Sequence, residues 1–175
     1  MTLLLTLLLT LEVPLGQATP ATASPTIGSV RAMTDLVRGY LTKAAAQVPE
    51  EHYAFKPTPD VRSMGELFAH VADANFMICG TATDQKPPMS DIEKTKKTKA
   101  DISSALEASF TFCEKAFQGL TDSGANETIK FFLPGTHTRL GVMAFNAAHD
   151  FEHYGNIVTY MRLKGMVPPS SARGM

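Results

Sequence analysis

Tryptophan is absent from these 175 residues, cysteine occurs twice, and neither sign of charge is in excess, with 16 Lys and Arg against 17 Asp and Glu. Each shortage excludes a class of protein. Two cysteines without a C-x-x-C pair make neither a disulfide framework nor a zinc ribbon or dithiol redox motif. A formal net charge of −1 leaves no electrostatic footprint for a phosphate backbone, which excludes a nucleic-acid binder of the basic type. No uncharged apolar run approaches the roughly 20 residues that cross a bilayer. What remains, 44% hydrophobic residues on a chain of this length, is enough for one folded domain with one core.

The apolar residues are unevenly spread. Seven of the first eleven positions are Leu, and Glu12 is the only charge before Arg31. The run Leu3 to Leu11 has the length of the hydrophobic part of a signal peptide, and Gly16-Gln17-Ala18 and Ala21-Thr22-Ala23 offer the small residues of a cleavage site. No Lys or Arg precedes the run. The expectation is a signal-peptide-like or disordered leader over residues 1–23 and a periplasmic or secreted location, with the cytoplasm as the alternative. Loss of the leader removes Glu12 and takes the formal charge from −1 to 0.

Beyond Pro25, apolar positions recur at helical spacing: Val30, Met33, Val37, Tyr40, Leu41, Ala44 and Val48 predict a first helix that Pro49 ends. Glu50 to Pro59 reads as an ordered loop carrying His52, Tyr53 and Phe55. Ser63-Met64-Gly65-Glu66 is a capping box that opens a second helix with the stripe Met64, Leu67, Val71, Ala74 and Ile78, fading at Cys79-Gly80. A polar stretch, Asp91 to Lys99, precedes a third helix marked by Ile102, Leu106, Phe110, Cys113 and Phe117. Thr128 to Leu133 is extended, Pro134-Gly135 turns, and a last helix runs from Leu140 to Lys164 before Gly165 and Pro168-Pro169. These elements predict an all-α four-helix bundle over residues 27–169, with a disordered tail at 170–175. Both cysteines fall on apolar helix faces. They are expected to be buried, inert small hydrophobes, although one bridge is possible in an oxidising compartment.

Candidate chemistry concentrates on the last helix. Val142, Phe145, His149, His153, Asn156 and Tyr160 share one stripe, which turns both imidazoles inward one turn apart, in position to bind one metal ion. His70 lies at the margin of the second helix's buried stripe, so three imidazoles converge if the two helices are neighbours. His52 and His137, in loops, read as packing or surface residues. The pattern His149-Asp150-Phe151-Glu152-His153 also spells H-x-x-E-H, the inverted zinc-protease motif, but no Asp or Glu follows Glu152 to supply that family's third ligand. A ferritin-like di-iron site fails because its paired Glu-x-x-His motifs are missing. Asp73, Asp150, Glu152 and Asn156 are candidates to hold the far nitrogens of the imidazoles. Helical geometry turns Asp150 and Glu152 away from the stripe and favours solvated or interhelical charges for both.

The capped Arg62-Ser63-Met64-Gly65-Glu66-Leu67 leading to His70, followed by His149-Asp150-Phe151-Glu152-His153-Tyr154-Gly155-Asn156 and Tyr160-Met161-Arg162-Leu163-Lys164-Gly165, resembles the DinB family from about Val30 to Pro169. The resemblance implies an up-down-down-up four-helix bundle holding a divalent metal on three histidines, here His70, His149 and His153. Gly155-Asn156 stands where the family usually has Gly-Gln. Characterised relatives include thiol-dependent S-transferases and a thiol-dependent isomerase, so the resemblance implies a metal-dependent transferase or hydrolase with a small-molecule substrate. Zinc is the default ion, and nickel, iron or manganese suits the same ligands. No fourth His or Cys shares these faces, which favours an open coordination position. A second expectation is a non-catalytic, stress-related bundle that binds a metal or ligand and acts as a homodimer, motivated by nine Met and ten Phe. Nucleic-acid binding through Lys94, Lys96, Lys97 and Lys99 is disfavoured, because no aromatic residue is interleaved with them.

Overall fold

The structure, a computed structural model, describes residues 24–172. The leader expected over residues 1–23 therefore lies outside the described residues. Among the described residues the fold is all-α apart from one pair of two-residue strands. Its helices are α1 (Pro25–Gln47), α2 (Met64–Thr83), α3 (Ile92–Thr95), α4 (Lys99–Gln118), α5 (Asp122–Ala125) and α6 (Arg139–Leu163). The four long helices α1, α2, α4 and α6 form the body. α2 packs on α4 and α6, and α1 packs on the same two helices from the opposite side.

Local chemistry fixes the boundaries. α1 starts at Pro25 rather than at the first apolar position, because Ser24 accepts from the Ile27 amide and proline needs no amide partner at a helix start. The capping box at Ser63 is present in both directions: Ser63 Oγ accepts from the Glu66 amide at 3.2 Å, and the Ser63 amide donates to Glu66 Oε2 at 2.7 Å. α2 continues past Gly80 to Thr83 and ends on Asp84 in the left-handed conformation. Gly80 does not terminate the helix. A Cβ there would lie 2.7 Å from the Gln85 carbonyl, so its role is to let the returning chain pass close to α2.

Two hydrophobic groups fill the body, one around Leu41, Phe68, Leu106 and Ile157, the other around Ile27, Ile78, Phe117 and Val142. The loop after α1 packs on it as expected, with Tyr53 buried and its hydroxyl donating to the Ala45 carbonyl. Two sequence expectations need correction. Cys79 and Cys113 are not free thiols: a disulfide joins them, with Cα atoms 5.3 Å apart, and ties α2 to α4 across 34 residues of chain. Spacing along each helix showed that both face inward, but not that these two faces meet. Ser170 and Ser171, expected in a disordered tail, belong instead to a 3-10 turn, Pro169–Ser171, in which the Ser170 amide donates to Tyr154 Oη at 2.9 Å.

The extended segment after α5 is half of a small hairpin. β1 (Thr128–Ile129) pairs antiparallel with β2 (His137–Thr138), placing Ile129 opposite His137. Its base is fixed by Arg139, which donates to Glu127 Oε2, Asp84 Oδ2 and the Ala82 carbonyl. Among the described residues no helix is long and apolar enough to cross a membrane.

Candidate metal centre

α2 contributes one imidazole and α6 contributes two. His70 lies 4.7 Å from His153 and 5.3 Å from His149 between ring centroids, and the α6 pair is 4.4 Å apart. One nitrogen from each ring falls within 4.8 Å of the other two, and among the described residues this is the cluster with metal-ligand geometry. The orientation of each ring can be read from its nitrogens. His149 Nε2 and His153 Nε2 face each other at 3.0 Å. His70 turns Nδ1 outward to Glu93 Oε2 at 3.3 Å, which leaves its Nε2 for the centre. All three imidazoles thus offer the same type of nitrogen to one point.

The surroundings of His70 and His153 favour the neutral imidazole, the form that ligates metals. Burial, reinforced by His149, His70 and Arg62, pushes the His153 pKa down to about 4. Burial, with Arg62 and His149, also lowers that of His70, while Glu93 pulls the other way. His149 Nδ1 and His153 Nδ1 are buried without a hydrogen-bond partner among the described residues. Two adjacent imidazoles with Nε2 atoms at contact distance share at most one N–H between them, whereas a cation between them satisfies both. The donor set therefore fits a divalent ion.

Glu93, which sequence reasoning missed, is the carboxylate that holds a histidine. It sits on α3, inside the segment read only as polar. Asp73 positions it: Asp73 Oδ1 accepts from the Ile92 amide at 2.9 Å and Asp73 Oδ2 from the Glu93 amide at 2.8 Å, so its carboxylate caps α3. Arg62 Nε donates to Glu93 Oε1 at 2.9 Å, leaving Oε2 for His70. Asp73 was expected to touch an imidazole directly; it acts through Glu93 instead. The available signal was Asp73 one turn after His70, with Glu93 in a short helix needing a cap.

Asp150 departs from its expected place. It is fully buried, not solvated, with Oδ1 3.9 Å from His149 Nδ1, a charge contact rather than a hydrogen bond. Asn75 and Asn146, both buried, face its carboxylate, and buried Ser109 lies against Asn75. With its amide nitrogen toward the carboxylate, Asn75 donates to both Asp150 oxygens at 3.2 Å and accepts from Ser109 Oγ at 3.2 Å. Burial still raises the Asp150 pKa to about 6, held back by His149. Glu152 and Asn156 are exposed, as the geometry of the stripe predicted for Glu152 but not for Asn156. His137 serves the hairpin, its Nε2 lying 3.1 Å from the Pro134 carbonyl, and His52 belongs to the loop after α1.

Three of the four lysines of the polar segment have partners within the fold. Lys94 pairs with Asp91, Lys97 donates to the Glu93 carbonyl, and Lys99 donates to the Ala46 and Val48 carbonyls at the end of α1. Two clefts reach the histidines. One of about 750 Å³ is bounded by His70, His149, Met77, Phe132, Phe145 and Glu93. The other, about 630 Å³, is bounded by His153, Lys56, Arg62, Glu152, Asn156 and Tyr160.

The DinB superfamily model matches residues 33–157, a span that includes all three histidines and most of every long helix. The chain belongs to the DinB superfamily. Solved DinB-like structures agree in fold. A DinB-like protein from Bacillus subtilis superposes with a TM-score of 0.66 at 18% identity, covering 83% of this chain and 99% of that one. A DinB-like protein from Bacillus cereus gives 0.72 at 16% identity, over 82% of this chain and 95% of that one. A conserved protein from Enterococcus faecalis gives 0.67 at 16% identity, with 81% and 98% covered. At these identities the likeness is one of fold. No curated protein matches the sequence.

Proposed function

We propose that this DinB-superfamily protein is a divalent-metal-dependent enzyme, an up-down-down-up bundle in which His70, His149 and His153 hold the ion through Nε2. The observation that carries the reading is the convergence of three imidazoles where two open clefts reach them, one of the rings oriented by a carboxylate. An ion bound by three imidazoles with an open position supplies Lewis acidity and an activated water or thiol at neutral pH. The reaction class proposed is transfer of a thiol, or hydrolysis by water, at a small electrophile.

The protein's own groups do the positioning. Glu93 accepts from His70 Nδ1–H and so fixes the tautomer that leaves Nε2 free; Asp73 and Arg62 fix Glu93. Asp150 places negative charge beside His149 without entering the ligand set. Together with Glu93 it balances the two positive charges of a divalent ion in a partly buried setting. Zinc is the proposed ion, with nickel, iron and manganese as alternatives. The Cys79–Cys113 disulfide supports an exported location, periplasmic or secreted, since such bridges persist in oxidising compartments.

The test is a panel of small electrophiles with water or a low-molecular-weight thiol, run on the zinc-loaded protein and on His70→Ala. Turnover lost in the variant supports the reading; equal rates in both overturn it. A second reading, a non-catalytic homodimer, draws on Met33 and Leu36, which stand 52% and 44% exposed on α1. Sedimentation of the wild type and of Met33→Glu decides it, a monomeric wild type being the contrary result.

A further inference from the structure

Phe132 is the most exposed large hydrophobic side chain among the described residues, at 62%, and it stands on the rim of the cleft that ends at His70 and His149. It is not a loose loop residue. Phe131 backs it with ring centroids 4.3 Å apart, and Phe131 is itself packed edge-on against His137 and Phe145. His137 Nε2 holds the turn through the Leu133 and Pro134 carbonyls, and Arg139 ties the hairpin base to the end of α2. A scaffolded hairpin thus displays an aromatic face to a cleft, at a cost in exposed apolar surface that packing within the fold does not repay.

From that face a series of rings leads to the centre. Phe132 lies 5.8 Å from Phe145 in an edge-to-face arrangement, and Phe145 lies 6.3 Å from His149. Met77, 46% exposed on α2, lines the same cleft, with Ile78 and Ala74 beside it. The charged side chains of this cleft are already engaged: Asp73 caps α3, Lys94 pairs with Asp91, and Lys97 donates to the Glu93 carbonyl. The other cleft, around Lys56, Arg62 and Glu152, is the polar one. The wall facing His149 is therefore suited to a flat, uncharged, apolar group, and a thioether paired with aromatic rings suits an aromatic one.

We propose that Phe132, Phe145 and Met77 form an aryl-binding subsite of the metal centre, so that the substrate carries an uncharged aromatic group beside the atom that reacts. The inference rests on the proposed metal-dependent function and names the substrate class for that site. Phe132 and Met77 are specificity residues, not ligands.

Two probes with the same metal-binding head separate the ideas. Acetohydroxamate and benzohydroxamate are titrated calorimetrically into the zinc-loaded full chain, into Phe132→Ala and into Met77→Ala. Both substitutions are at exposed positions, so the fold is retained. The expected result is that benzohydroxamate binds the wild type about tenfold tighter than acetohydroxamate, that Phe132→Ala removes most of this preference, and that acetohydroxamate binding is unchanged in both variants. Equal binding of the two probes to the wild type, or a preference that survives both substitutions, overturns the subsite while leaving the metal centre standing. Failure of either hydroxamate to bind better to zinc-loaded than to metal-free protein overturns the metal centre itself, and the subsite with it.

Discussion

Glu93 touches no ion in the proposed centre, yet it decides which nitrogen of His70 faces inward. Glu93→Gln is expected to lower zinc affinity by roughly 10- to 100-fold, the usual effect of removing such a support, with the helical circular dichroism unchanged. Competition with a chromophoric chelator measures this; an unaltered affinity contradicts the role. Protonation gives a second check, made on metal-free protein. The His153 pKa falls from 6.5 to about 4 on folding, so its contribution to stability is present above about pH 6.5 and is lost as pH drops toward 4. Asp150 moves from 3.8 to about 6 and acts oppositely: its contribution is present below about pH 3.8 and is lost as pH rises through 6. The two shifts oppose each other between pH 4 and 6, that of Asp150 amounting to about 3 kcal/mol at about 1.4 kcal/mol per pKa unit. Asp150→Asn removes the acid-side gain. Its metal-free stability should therefore fall more steeply than the wild type's from pH 6.5 to 4, by about 3 kcal/mol in urea titrations. Parallel pH profiles contradict this.

The helices show what spacing along a chain conveys and where it stops. The i, i+4 step from His149 to His153, and the margin position of His70 on α2, put three imidazoles on inward faces before any tertiary information was used. Glu93 was not legible in the same way, because α3 spans four residues and has no periodicity to detect. Its helix depends on the Asp73 carboxylate from a different element. Asp150 was misplaced for a related reason. α6 is covered by α2 on one flank and α1 on another, so its buried arc is wider than one stripe and takes in the residue beside His149. The disulfide likewise belongs to the meeting of α2 and α4 rather than to either helix. Closing a loop across 34 residues stabilises the folded chain by about 4 kcal/mol in the chain-entropy description. Cys79→Ser with Cys113→Ser is expected to lower the denaturation midpoint correspondingly while preserving stoichiometric zinc uptake at low temperature. A double variant as stable as the wild type contradicts the bridge.

As a whole, the molecule is a helical frame whose functional polarity is placed at one meeting of helices. Membership of the DinB superfamily fixes the frame, and a near-neutral net charge with paired surface lysines turns attention from macromolecular anions to small substrates. Three imidazoles converge at one inward point of the frame, with an aromatic hairpin over one approach and a polar cleft on the other. Everything proposed for catalysis depends on an ion at that point. The most direct measurement is metal content per chain, by plasma emission after zinc loading and exhaustive dialysis, for the wild type and for His70→Ala, His149→Ala and His153→Ala. One zinc per wild-type chain, lost in each variant with the helical spectrum intact, is the predicted result. A wild type that retains no zinc, nickel, iron or manganese after loading with each, or variants that hold the ion as firmly as the wild type, would contradict it.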